Sequence, residues 1–377
     1  MPLPPSPIAF IDLKAQQARI RDRVEARFSA VLDHGAYING PEVVELEQAL
    51  CAFSGAGKAL AVGNGTDALI MAMLAMDLKR TDAVFIPAFT YNATASAVIL
   101  AGATPVFVDV RPGDFNIDPE DLEQRIRQTR REGRLTPSLV LTVDLFGIPA
   151  DYEAIFAVAE REGLKVLADG AQSFGARWNG RWAGNIAPIT ATSFFPSKTL
   201  ACYGDGGALL FQDPDLWEAC EQIRWHGTDA ARKESVRVGF NGRMDSLQCA
   251  VVVEKLAIFP GELDQRRRIA AIYDEGLAGH VDTQVFPAGC ESGYGLYTIA
   301  IDRRDAVQAS LKAEGVPTAV YYAQPLHRMK AFAPYAAEAL PQSERLAGRV
   351  LSLPMHPYLS DDQALYVVDR LNAALEA

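Results

Sequence analysis

Four short stretches of this sequence carry residue types that suit chemistry better than packing. The first is Phe194-Phe195-Pro196-Ser197-Lys198-Thr199, followed by Tyr203-Gly204-Asp205-Gly206-Gly207-Ala208. Lysine is mostly solvated, so a lysine in a tight, apolar-flanked turn is unusual. Partial burial disfavours its charged form and makes the amine a usable nucleophile; a plain surface lysine is the other reading. The second is Asp169, which ends the apolar run Lys165–Asp169 and precedes Gly170-Ala171-Gln172-Ser173. An acid buried there needs a cation; a protonated ring nitrogen is one, and a helix cap or an arginine partner is the alternative. The third is Gly63-Asn64-Gly65-Thr66-Asp67-Ala68, which follows the run 59–62. Small residues opening a helix present backbone N–H groups and the Thr66 hydroxyl to a phosphate, or else form an ordinary N-cap turn. The fourth is Pro87-Ala88-Phe89-Thr90-Tyr91-Asn92, where an aromatic just past a strand could stack on a planar ligand or simply pack.

Amine, acid, phosphate cradle and stacking aromatic are together the parts that pyridoxal phosphate demands. What must position them is a series of short apolar runs at 59–62, 83–86, 105–110, 139–143, 165–169, 190–194 and 208–211. Helical patterns at 67–78, 118–129 and 151–162 lie between these runs; in the last, Tyr152, Ile155, Phe156 and Ala159 form one apolar stripe. Such alternation predicts an α/β fold with a mostly parallel, seven-stranded sheet and helices on both faces. Ligands bind an open parallel sheet at the carboxyl ends of its strands, where all four stretches fall. Beyond about residue 244 the pattern changes. Helical segments at 246–258 and 263–277 lead to strands at 296–301 and 318–322, a helix at 305–314 stopped by Gly315, and a surface loop at 289–295. The expected division is a large domain at 1–250 and a smaller α+β domain at 251–377.

The chain has 377 residues, 49% of them apolar and 22% charged, a globular composition. Its formal charge of −11 argues against a general nucleic-acid binder, and the basic runs 125–134 and 266–268 read as solvated helix faces. No apolar stretch is long enough to span a bilayer, and Met1-Pro2-Leu3-Pro4-Pro5 lacks the features of a signal peptide. Five widely spaced cysteines predict reduced thiols and no metal site, so the expectation is a cytoplasmic protein. No G-x-G-x-x-G fingerprint is present, which counts against a nicotinamide dehydrogenase.

The residues Gly65-Thr66-Asp67-Ala68-Leu69, Asp169-Gly170-Ala171-Gln172, Ser193-Phe194-Phe195-Pro196-Ser197-Lys198, Gly204-Asp205-Gly206-Gly207 and Asn241-Gly242-Arg243-Met244-Asp245 resemble those of the DegT/DnrJ/EryC1/StrS aminotransferases. The likeness runs from Phe10-Ile11-Asp12-Leu13-Lys14 to Leu353-Pro354-Met355-His356-Pro357. It implies a fold-type I enzyme that uses pyridoxal 5'-phosphate to aminate nucleotide-linked keto sugars. Stretches 12–20, 192–198 and 307–320 are most similar to the branch acting on UDP-linked 3-keto sugars. That branch uses L-glutamate as amino donor and makes 3-amino sugars for bacterial polysaccharides.

By position, the resemblance implies Lys198 as the Schiff-base lysine, Asp169 as the acid on the pyridine nitrogen and Gln172 as the amide near the cofactor's phenolic oxygen. It implies phosphate contacts from Gly65, Thr66 and Ser193, with Asn241 supplied across a homodimer whose subunits share active sites, and Tyr91 over the ring. Arg243 is implied as a carboxylate partner, or else it pairs with an acid such as Asp245. His327 is implied at the substrate mouth, or else is structural. The chain departs from the family pattern at Tyr321-Tyr322-Ala323, where His-Tyr-Pro is usual, and at Arg328-Met329-Lys330, where Leu-Gln-Pro is frequent. A 4-keto-6-deoxy sugar linked to dTDP or GDP is the alternative substrate, and a non-catalytic sugar-nucleotide-binding protein the alternative class.

Overall fold

Proline at the first helical turn or glycine just past the last one bounds several helices of this chain. α1 (Leu13–His34) and α2 (Pro41–Ser54) end on Gly35 and Gly55, both left-handed, where a side chain would be strained. The computed structural model describes residues 7–336 and 338–376, so most of the proline-rich start noted above lies outside the described residues. After α2 the chain alternates through β1 (Lys58–Val62), α3 (Gly65–Ala75), β2 (Asp82–Pro87), α4 (Asn92–Leu100), β3 (Thr104–Val108), α5 (Pro119–Glu132), β4 (Thr136–Val143), α6 (Tyr152–Glu162) and β5 (Lys165–Asp169). A small hairpin, β6 (Arg177–Trp178) and β7 (Arg181–Trp182), precedes β8 (Ile189–Ser193), β9 (Gly207–Phe211), α7 (Pro214–Arg224) and α8 (Ser246–Gly276). The remainder holds β10 (Asp282–Thr283), β11 (Cys290–Glu291), β12 (Tyr297–Ala300), α9 (Arg304–Ala313), α10 (Pro341–Ala347), β13 (Val350–Leu353) and α11 (Asp361–Glu376).

Seven strands form one sheet in the order β1-β9-β8-β5-β4-β2-β3. Pairing is parallel from β8 through β3, and only β9 runs against its neighbours. Alternation along each strand divides two cores. Leu60, Val84, Leu141, Leu167 and Leu209 pack with Leu69, Met73 and Val98 under α3 and α4. Ala61, Leu210 and Phe194 pack on the other face with Leu46, Phe259 and Leu263 of α2 and α8, and Phe85, Val140 and Ala168 pack with Ile126 and Ile155 of α5 and α6. Both faces are thus dry, which is why these strands read as continuous apolar runs. A second sheet, β10-β12-β13, packs with the end of α8, α9 and α11 around Tyr273, Ile299, Leu311, Leu351 and Leu371.

All seven predicted strands of the main sheet are present. Three local expectations change. The segments 246–258 and 263–277 are one helix, α8, which carries Pro260 in its interior and also spans residue 250, where the division was drawn. Phe259 and Leu263 are buried on either side of Pro260, so packing holds the helix across the missing N–H. The expected strand 318–322 is reduced to a single bridge, Ala319 with Ser352, and its last residue, Tyr322, turns left-handed. Within 289–295, Cys290–Glu291 is a short strand paired to β6. Among the described residues no helix is long and apolar enough to cross a membrane.

Candidate active site

The parallel sheet brings the carboxyl ends of β1, β2, β5 and β8 to one edge. Register places Gly207 between Val62 of β1 and Ser193 of β8, and places Asp169 between Val143 of β4 and Ala191 of β8. A side chain at Gly207 would meet the backbone of Asn64, Gly65 and Thr192 within 2.6–2.8 Å, so only glycine lets α3 start this close to the sheet. A side chain at Gly65 would likewise sit 2.9 Å from the Ser193 Cβ. The first turn of α3, capped by the Asn64 side chain accepting from the Asp67 N–H at 2.8 Å, is therefore pressed against Ser193. Gly65, Thr66 and Ser193 form one cradle at the positive end of a helix, and no hydrogen bond within the described residues uses the Thr66 hydroxyl.

Asp169 is 8% exposed; its carboxylate accepts from Thr94 Oγ1 at 3.1 Å and from the Ala171 N–H at 3.2 Å. No ion pair reaches it among the described residues. Burial raises its pKa, opposed by the Ala171 hydrogen bond, by the charge of Lys198 and by Thr94. Lys198 answers in kind: desolvation of its amine lowers its pKa, and the nearby Asp169 charge opposes that fall. Its backbone N–H donates to the Phe195 carbonyl at 2.8 Å, closing the tight turn that the sequence suggested.

Gln172 sits in the turn after β5. Its Oε1 accepts from the Phe146 N–H at 2.6 Å, and its Nε2 donates to the Tyr322 hydroxyl at 2.6 Å. Tyr91 caps the start of α4 and is exposed, with its ring 6.4 Å from that of Tyr322. Asn241 is exposed and bridges to Trp225. Arg243 does not take Asp245 as partner; its guanidinium lies 4.4 Å from the Trp225 ring centre, and its buried Nε has no hydrogen-bond partner among the described residues. His327 is 3% exposed, with Nε2 2.9 Å from a Glu344 oxygen, its ring 6.4 Å from Phe107 and its Nδ1 unpaired. The structure thus gathers Lys198, Asp169, Gln172, Gly65, Thr66 and Ser193 at the sheet edge and holds His327 through Glu344.

Sequence reasoning missed Thr94, and it missed Asp144. The latter directly follows β4, where Asp169 is the last residue of β5, so the same reading of an acid closing an apolar run would have found it. Asp144 is fully buried; it accepts from Tyr152 Oη at 2.9 Å, from Ser173 Oγ at 2.7 Å and from the Ala150 N–H at 3.0 Å. Its own N–H donates to the Asp169 carbonyl at 3.1 Å. Burial and the Asp169 charge push its pKa up to about 6, against the pull of its three donors.

These residues fit pyridoxal phosphate. A buried carboxylate lacking a cation suits a protonated ring nitrogen, a desolvated amine suits an aldehyde, and a helix start with close-packed glycines suits a phosphate. The model of the DegT/DnrJ/EryC1/StrS aminotransferase family matches residues 18–372, and the chain belongs to that family of pyridoxal-phosphate-dependent sugar aminotransferases. It is 47% identical over 353 residues to the UDP-2-acetamido-2-deoxy-3-oxo-D-glucuronate aminotransferase of Pseudomonas aeruginosa, covering 93% of this chain and 96% of that one. It is 38% identical over 358 residues to the UDP-N-acetyl-3-dehydro-alpha-D-glucosamine 3-aminotransferase of Acidithiobacillus ferrooxidans, covering 94% and 95% of the two chains. The crystal structure of a DegT/DnrJ/EryC1/StrS aminotransferase from Brucella abortus superposes with a TM-score of 0.95 at 44% identity, covering 97% of this chain and 99% of that one.

The Asp144 carboxyl gives a pH-dependent prediction. Its pKa in the folded chain lies above the unfolded value, so its contribution to stability is full below about pH 4 and is lost as pH rises through about 6. Asp144→Asn is neutral, can still accept from Tyr152 and can donate to Ser173. Ligand-free Asp144→Asn should therefore melt higher than wild type at pH 7, by on the order of 2 kcal/mol in stability, with the advantage gone near pH 4. An equal or lower melting temperature at pH 7 contradicts this account of the Asp144 environment.

Proposed function

We propose that the enzyme moves the amino group of L-glutamate onto the C3 carbonyl of a UDP-linked 3-keto sugar, giving a 3-amino sugar nucleotide for polysaccharide synthesis. The observation that carries the reading is the pairing of a desolvated lysine with a buried carboxylate that has no other cation. The 3-keto, UDP-linked substrate is favoured by the relatives described above, two enzymes named for that chemistry. Lys198 would hold pyridoxal phosphate through its amine, Asp169 through the ring nitrogen, and Gly65, Thr66 and Ser193 through the phosphate. Bound there, the cofactor supplies a carbonyl that takes up and hands on an amine, and a ring that accepts an electron pair.

The chain's own groups do the rest. Asp169 keeps a proton on the ring nitrogen, since separating that proton would leave a bare carboxylate in a dry site. Lys198, once its amine is free, would act as the base that takes the proton from the donor α-carbon and as the acid that returns one, and would serve the sugar carbonyl carbon in the reverse order. The lowered pKa of its amine suits this, because a base must be uncharged at working pH to accept a proton. Tyr91 would cover the ring and Arg243 would take a carboxylate of the donor or of the sugar, whereas His327, buried against Phe107 and held by Glu344, fits the structural alternative. In the homodimer, Asn241 of each chain would complete the other's phosphate site.

Lys198→Ala should lose at least about 10²–10⁴-fold in turnover, read by following 2-oxoglutarate formation. Asp169→Asn should keep cofactor binding and lose most of the rate. Near-normal turnover in either variant removes that residue from the mechanism. With wild type, a UDP-linked 3-keto sugar should be aminated, and a dTDP-linked 4-keto-6-deoxy sugar should not; the reverse preference would overturn the substrate reading.

The shared site gives a second prediction. Lys198→Ala and Asn241→Ala, each weakened alone, should recover about a quarter of wild-type activity when the two are unfolded together and refolded. Half of the dimers are then mixed, and one of the two sites in each mixed dimer is intact. No recovery, or a fully active monomer on size-exclusion chromatography, contradicts a shared site.

A further inference from the structure

Two residues beside the site have backbones that their side chains disfavour. Phe146 has φ 60° and ψ 7°, and Tyr322 has φ 67°; both lie in the left-handed region, and neither is glycine. Such conformations persist only where the surroundings over-determine them, and they cluster at functional sites. Here the surroundings are specific. The Phe146 and Tyr322 rings are stacked, 7° from parallel with centres 6.0 Å apart. Phe89, fully buried after β2, presents its ring near-perpendicular to both, at 6.3 Å and 5.8 Å.

The strained pair meets at one side chain. The Phe146 N–H donates to Gln172 Oε1, and the Gln172 Nε2 donates to the Tyr322 hydroxyl, each at 2.6 Å. A backbone N–H can only donate, so it fixes which end of the amide is oxygen. Nε2 is then the end that meets the Tyr322 hydroxyl, and the Gln172 amide has one orientation. One Nε2 hydrogen is used on Tyr322; the second has no partner among the described residues.

We propose that Tyr322 is a positioning residue that locks the Gln172 amide so that its free N–H faces the bound cofactor. The proposal rests on the pyridoxal-phosphate reading given above. It assigns a task to a tyrosine whose backbone is otherwise an unexplained cost. The ionisable neighbours of the Tyr322 hydroxyl are Asp169, Tyr321 and Tyr91, and burial holds the phenol protonated through the neutral range.

The test is a double-mutant cycle read on the visible absorption band of the loaded protein. A donor that points at the cofactor's phenolic oxygen favours its ionised form and lowers the pH at which the band changes. Tyr322→Phe removes one oxygen and keeps the ring stack; circular dichroism and melting confirm the fold. In an otherwise wild-type chain it should raise the midpoint of the band's pH titration by about one unit and weaken pyridoxal phosphate binding about threefold to tenfold. In a Gln172→Ala chain the same change should do nothing further.

A shift of equal size with and without Gln172 would overturn the proposal and make Tyr322 an independent contact. No shift in either background would overturn it too. A wild-type protein that forms no band with pyridoxal phosphate sinks the cofactor reading and this inference together. A normal band with uncoupled variants sinks only the inference.

Discussion

A buried carboxylate with no ion pair among the described residues is the constraint around which this site is arranged. Asp169 lies at the end of a central strand, in a layer closed by helices on both faces, where burying an unpaired charge is costly. Two neutral donors, Thr94 and the Ala171 N–H, ease that cost without removing it. The same dry edge desolvates Lys198, so acid and amine each lose part of their charge preference. Folding the chain therefore leaves a place that a cationic ring nitrogen stabilises. That is a physical reason for the fold and the cofactor to belong together.

The parallel sheet is what makes this possible. Strand direction puts four loop starts on one edge, and β9, running the other way, returns the chain from the Lys198 turn to the sheet. Gly207, where β9 begins, admits the backbone of α3, and Gly65 presses the first turn of α3 onto Ser193. Acid, amine and phosphate cradle are thus held by strand ends and a helix start rather than by a mobile surface. Behind them Asp144 ties Ser173, Tyr152 and the Asp169 backbone into one buried network.

The sequence was readable where a local pattern decides the outcome. The seven main strands are short apolar runs between helix signals, so their existence and their mostly parallel arrangement follow from periodicity. Asp169 and Lys198 were visible because each is a charged residue where an uncharged one is expected. Asp144 was open to the same reasoning. Other features depend on packing between distant segments. Nothing local marks Phe146 or Tyr322 as left-handed; aromatic residues favour extended backbone, and the stack of these two rings, with Phe89 edge-on to both, forms between distant segments. Pro260 reads as a helix break and is not one, because buried neighbours hold α8 through it. Arg243 had an obvious acid two residues away and lies against Trp225 instead.

The central claim is that Lys198 is the amine that holds pyridoxal phosphate. The most direct measurement is to load the purified protein with the cofactor, reduce it with borohydride, digest it and map the modified peptide by mass spectrometry. The account predicts one labelled peptide containing Lys198, and no label when glutamate is added before reduction. Label on a different lysine, or a protein that takes up no cofactor, would contradict it.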